Sequence, residues 1–157
     1  MKLTQRLAIL GLLLAVVVLV QMFKLGQIVT GSAVNALLFL AALSVGPAGA
    51  LIGLVSPWAA LLVGAVSPAL LPALPFISVS NMALVLTYAA LLRYGRWVAM
   101  LPAAAVKFVI LAAAVRFLVQ LPAPAALALG YPQLVTALIG GSVAALAWPL
   151  LARAKSA

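Results

Sequence analysis

The chain is a succession of apolar runs, each about as long as a bilayer's hydrocarbon core is thick. A helix crossing that core, ~30 Å, needs about 20 consecutive apolar residues. Breaks at Gly, Pro and charge divide the sequence into six such runs, predicted at about 7–23, 28–45, 47–66, 76–92, 97–118 and 133–151. Short Pro-rich segments, Ser67 to Pro75 and Gln120 to Pro132, separate the third run from the fourth and the fifth from the sixth. Water is not a possible solvent for such a chain. Of 157 residues only 9 are charged, all Lys or Arg, where a soluble domain of this length carries about 40 charges. So few charges cannot cover a water-facing surface. The expected fold is all-α: one polytopic membrane bundle of about six transmembrane helices, a single domain over residues 1–157.

The same inventory removes most chemistry. Asp, Glu, His and Cys are absent, so no carboxylate or imidazole can serve as general acid or base. No side chain suits a divalent metal, and no disulfide can form. No GxxxxGK[ST] phosphate loop occurs, so ATP is not hydrolysed by that route. The expectation is a protein that is not an enzyme and uses neither metal nor cofactor. Nucleic acid is an unsuitable partner despite the net charge of +9. The basic residues lie singly or in sparse pairs between apolar runs, and form no patch.

Lys2 and Arg6 followed by Leu7 to Val20 resemble the start of a secretory leader. Gln21-Met22-Phe23-Lys24 offers no small-x-small cleavage site, so the first run is read as a retained span. Orientation follows from Lys/Arg asymmetry. With both termini cytoplasmic, Lys2, Arg6, Arg93, Arg96, Arg153 and Lys155 fall inside. Lys24 and Arg116 fall at the outer ends of spans one and five. Tyr94, Trp97 and Trp148 then lie near the inner interface and Tyr131 near the outer one, as an aromatic belt requires.

In that topology the amide side chains gather toward one side. Asn35, Asn81 with Ser78 one turn before it, and Gln133 with Thr136 all belong to the outer half. Asn35 and Asn81 each lie on the order of 10 Å below the outer surface at 1.5 Å per residue. An amide in hydrocarbon is costly unless hydrogen-bonded, so these groups are expected to point into the bundle. They can bond one another as interhelical glue or line a cavity open to the outside. Ser78, Asn81 and Tyr88 share a face of span four by i+3 and i+7 spacing, which makes that face a candidate wall. Loops near Gln27, Leu71 and Leu127 would cover it.

Lys107 is the most unusual residue. It lies in mid-span, and the chain has no acidic side chain to pair with it. A central Lys costs about 2.5–3.5 kcal/mol to insert. Its counterion must be a lipid, a partner subunit, a ligand or the terminal carboxylate, unless it sheds its proton. It either attracts an anionic substrate group or lays its stem along a helix to reach an interface. Small residues four apart, which let helices approach closely, occur at Gly11/Ala15, Gly49/Gly53, Ala60/Gly64 and Ala137/Gly141. Pro57 should kink or break span three.

Four segments carry a family resemblance. They are Thr30-Gly31-Ser32-Ala33-Val34-Asn35-Ala36-Leu37-Leu38, Gly46-Pro47-Ala48-Gly49-Ala50-Leu51-Ile52-Gly53, Pro75-Phe76-Ile77-Ser78-Val79-Ser80-Asn81 and Tyr131-Pro132-Gln133-Leu134-Val135-Thr136-Ala137-Leu138-Ile139-Gly140-Gly141. In order and spacing they resemble the substrate-binding S components of energy-coupling factor (ECF) transporters, over nearly the whole chain. The resemblance implies a six-helix protein of a bacterial or archaeal cell membrane that captures a vitamin or other micronutrient from outside. Its partners would be a transmembrane T subunit and two cytoplasmic ATPase subunits. It would topple in the membrane to release its cargo. Asn35, Ser78, Asn81, Lys107, Gln133 and Thr136 become the expected substrate contacts. Family members often carry an AxxxA face on the first span for the T subunit. Here Ala8 is followed four residues later by Leu12, and Gly11 with Ala15 is the nearest equivalent. The rival expectations are a membrane scaffold or assembly subunit without cargo, a pore, which would need a continuous polar path, and an intramembrane enzyme.

Overall fold

In the computed structural model, which describes residues 1–154, the chain is helical and contains no strand among the described residues. The long helices are α1 (Leu3–Met22), α2 (Gln27–Val45), α3 (Ala50–Leu62), α4 (Leu74–Leu91) and α5 (Arg96–Ala113). A short α6 (Ala123–Ala128) precedes the last long helix, α7 (Tyr131–Ala154). Lys155 lies outside the described residues. Six of these helices close a ring in the order α1, α2, α7, α5, α4, α3 and back to α1, and α2 meets α4 across the middle. α6 packs on α7.

Among the described residues, five helical stretches are long and apolar enough to cross a membrane: Leu3–Met22, Gln27–Leu62, Pro68–Tyr94, Arg96–Leu118 and Ala123–Arg153. The sequence predicts six. The second and third expected spans fall in one helical run of 36 residues, but the chain does not run straight through it. A 3-10 turn, Gly46–Gly49, bends it back, with Gly46 at φ +66°. Gly49 then packs onto Ala41, close enough that a β-carbon on it would lie 2.8 Å from the Ala41 carbonyl carbon.

α3 itself has 13 residues and rises only about 20 Å. It runs through Pro57 unbroken and stops before the expected Val66 because of Gly64. The Gly64 amide donates to the Leu61 carbonyl and the Ala65 amide to the Ala60 carbonyl, the two bonds of a Schellman cap. Gly64 is at φ +70° with nothing near a would-be β-carbon. It is a helix stop rather than half of a packing pair with Ala60.

The apolar residues face both ways. Val17, Leu38, Phe39, Ile52, Leu84, Val85, Tyr88 and a set of alanines fill the centre. Leu12, Leu51, Leu62, Val98, Leu101, Phe117, Leu146 and Leu150 are exposed on the exterior. A protein apolar on both its inside and its outside is solvated by lipid. With no hydrophobic drive between helices in lipid, close packing through small residues holds the ring. Ala99, Ala103, Ala104, Ala137 and Ala144 are accordingly among its most buried positions.

Arg96 has a task that charge counting does not reveal. Pro149 sits inside α7 and has no N–H to donate to the carbonyl four residues earlier, that of Ala145. Arg96 Nη1 donates to the Ala145 carbonyl at 3.2 Å, so the first residue of α5 mends the ladder of α7. Arg96→Met should cost about 1.5–3 kcal/mol, the range for a hydrogen bond to a charged group. In a Pro149→Ala background, where the helix supplies its own donor, the loss should shrink to a few tenths. Thermal unfolding of the four proteins in detergent measures both.

Candidate functional site

A cavity of about 140 Å³ lies at the end of the ring where α1 finishes and α2 begins. Every wall comes from that end: Gln21 of α1, Gln27 to Asn35 of α2, Ser56 and Pro57 of α3, Leu74 to Asn81 of α4, Lys107 of α5 and Gln133 of α7. Val66, Leu70 and the pair Ala128–Leu129 complete it, so the segments beside the expected Leu71 and Leu127 do border it.

Two glycines make the cavity's polar wall possible. A β-carbon on Gly140 would lie 2.5 Å from the Ser32 carbonyl oxygen and 2.6 Å from the Ala36 nitrogen; one on Gly31 would lie 3.0 Å from the Thr136 methyl. Glycine therefore lets α2 and α7 touch almost backbone to backbone. Asn35 consequently reaches Thr136, its Nδ2 donating to Thr136 Oγ1 at 3.1 Å. The Thr136 hydroxyl donates to the Gln133 carbonyl at 3.2 Å. On its other side Asn35 Oδ1 accepts from Lys107 Nζ at 2.6 Å. The result is one directed chain across three helices, Lys107 to Asn35 to Thr136 to the α7 backbone. The Lys107 stem does not run to an interface, and the residue is 3% exposed. Its ammonium carries three donors, of which the described residues engage one.

α3 positions the opposite wall in the same way. A β-carbon on Gly53 would lie 2.7 Å from the carbonyl carbon of Asn81, so α3 and α4 meet there without a side chain between them. Asn81 is 3% exposed, and its Oδ1 has no hydrogen-bond partner. Thr30 also lines the cavity with an unpartnered hydroxyl. Above, the Ala128 carbonyl at the end of α6 accepts from both Gln27 Nε2 and Gln133 Nε2, each at 3.2 Å. These two amides pin α6 over the cavity.

Of the expected contacts, Asn35, Asn81, Lys107 and Gln133 line one cavity. Thr136 is fully buried behind Asn35 and orients it. Ser78 is buried with its hydroxyl unpartnered, but it is not part of the lining. Three residues are about 300° of helix, so it points roughly 60° away from Asn81. The α4 wall is Leu74, Ile77 and Asn81 instead. Tyr88 shares the inward direction but lies two turns deeper, its ring edge-on to Phe39 at 4.6 Å. Gly11 and Ala15 are exposed on the outer side of α1. Gln21, Thr30 and Ser56 line the cavity and were not singled out from the sequence. Thr30 lies five residues before Asn35, about 140° around the helix, so spacing alone does not place it beside Asn35.

The charged ends of the bundle are unequal. Lys2, Arg6, Arg93, Arg96 and Arg153 lie at the end away from the cavity, and Lys24 and Arg116 at the cavity end. Among known proteins, no family model, curated protein or solved structure matches the chain.

Proposed function

We propose that this protein is the substrate-binding S component of an ECF-type importer in a bacterial or archaeal cell membrane. It has six spans, with α3 and the turn before it forming the third, and both termini cytoplasmic. It captures a vitamin or other micronutrient from outside and works with a transmembrane T subunit and two cytoplasmic ATPase subunits. The observation that carries this reading is the one-sided cavity. Convergent polar groups in an otherwise apolar pocket are the usual form of a small-molecule site. The other half of the ring is filled by Leu38, Phe39, Leu84 and Tyr88, which disfavours a pore. The basic end opposite the cavity supports an outward-facing site under the positive-inside rule. With no phosphate loop of its own, the chain would draw ATP-driven transport from ATPase partners. Gly11 and Ala15 on the exposed side of α1 would meet the T subunit.

Affinity purification of the tagged protein from its own cell membrane, followed by mass spectrometry, should yield a T subunit and two ATPases. Recovery of the protein alone, or with unrelated partners only, would overturn the importer reading in favour of a scaffold. The scaffold has one observation on its side, since the Asn35–Thr136 bond joins two helices as glue would.

Topology has its own test. The chain lacks cysteine, so single cysteines report cleanly. In intact cells a membrane-impermeant maleimide should label Lys24→Cys and spare Tyr94→Cys. The reverse pattern would turn the cavity inward and sink the proposal.

A further inference from the structure

The cavity also carries information about what fills it, and this inference rests on the proposed capture of a small molecule. Lys107 is buried in a chain that has no Asp or Glu. Among the described residues its one partner is Asn35 Oδ1, a neutral acceptor, so two ammonium donors and the positive charge remain unanswered by their side chains. A buried charge without a counter-charge is costly. Unless the amine sheds its proton, an anion from outside the chain that accepts charge-assisted hydrogen bonds answers it best.

Size and the remaining lining narrow the choice. The cavity's ~140 Å³ is close to the roughly 150 Å³ that accommodates a benzene ring in an engineered protein. Val34, Leu70, Leu74, Ile77 and Leu129 supply apolar walls, which a halide or inorganic phosphate would leave unfilled. Asn81 Oδ1 is an acceptor awaiting a donor, and the Thr30 hydroxyl is free as well.

We infer that the cargo is a small organic monoacid of about one ring, whose carboxylate seats on Lys107 and whose ring N–H or O–H reaches toward Asn81. One negative charge neutralises Lys107. A second would be buried with no cation among the other lining residues.

The test uses the full-length protein in detergent and isothermal titration with ring-sized probes. Pyrrole-2-carboxylate, imidazole-4-carboxylate and 4-hydroxybenzoate are each paired with the corresponding carboxamide, and thiophene-2-carboxylate serves as the acid without a donor. Sodium chloride and inorganic phosphate form separate arms. At least one donor-bearing acid should bind tenfold or more tightly than its carboxamide. Lys107→Gln should bring that acid down to the level of the amide. Asn81→Leu, which leaves the Lys107–Asn35 bond in place, should bring it down to the level of thiophene-2-carboxylate. Acids and amides binding equally, no probe binding, or chloride or phosphate alone competing would each overturn the inference. The importer reading fails separately. It is lost if no T subunit or ATPase co-purifies even where an acid binds, and it stands if they co-purify while the acids fail.

Discussion

Gly140→Val should destabilise the protein by about 3 kcal/mol or more, the upper part of the range for overpacking a tight core. The added β-carbon alone would lie 2.5 Å from the Ser32 carbonyl oxygen and 2.6 Å from the Ala36 nitrogen. Both are backbone atoms inside α2, so no side-chain rotation can relieve the clash, and the two helices must separate. Separation also draws Thr136 away from Asn35 and so undoes the polar wall. Thermal unfolding in detergent should register the loss, and ligand binding should fall with it. Gly11→Ala is the control. Nothing lies within 4 Å of a β-carbon there, and alanine is favoured over glycine inside a helix by about 0.5–1 kcal/mol, so stability should hold or rise slightly. Equal behaviour of the two variants would mean that α2 and α7 are not in backbone contact.

The second large effect belongs to the Lys107–Asn35 pair, and its sign is unusual. Asn35→Leu should cost more than Lys107→Met, although lysine carries the charge. Removing Asn35 leaves a buried ammonium without its only acceptor among the described residues, and breaking a buried charged contact from one side costs about 3–5 kcal/mol. Removing Lys107 leaves a neutral amide still bonded to Thr136 through Nδ2, with one acceptor unmet, for about 1–3 kcal/mol. The double variant Asn35→Leu/Lys107→Met should recover most of the difference, because replacing both partners by apolar groups of similar shape is close to neutral. Unfolding midpoints of the four proteins close the cycle. Additive losses in the double variant would show that the two side chains do not interact in the membrane.

These two cases mark what could be read before the fold was known. That Asn35, Asn81 and Gln133 belong together was legible from span counting, which puts all three in the outer half, and Lys107 joined them as a mid-span charge with no acidic side chain to pair with. Depth cannot say which way a side chain points around its helix. Ser78 was therefore grouped with Asn81, although about 60° of rotation turns it away. Thr136 was read as a contact and is the residue that holds one. Gly64 looked like a packing residue because spacing alone cannot tell a glycine chosen for small size from one chosen for positive φ. Gly53 and Gly140 are of the first kind, and only their neighbours reveal it.

Sequence alone determined the solvent, the helical class and the side of the bundle that bears polar groups. Those follow from the near absence of charge and from the hydrogen-bonding needs of a backbone in lipid, which operate locally and leave a trace at every residue. Tertiary structure decided that α3 folds back on α2, that Arg96 serves the carbonyl freed by Pro149, and that Lys107 donates to Asn35 beside an open space. Each depends on residues tens of positions apart coming into contact, and in a chain so uniformly apolar no pattern along the sequence marks which helix will lie against which.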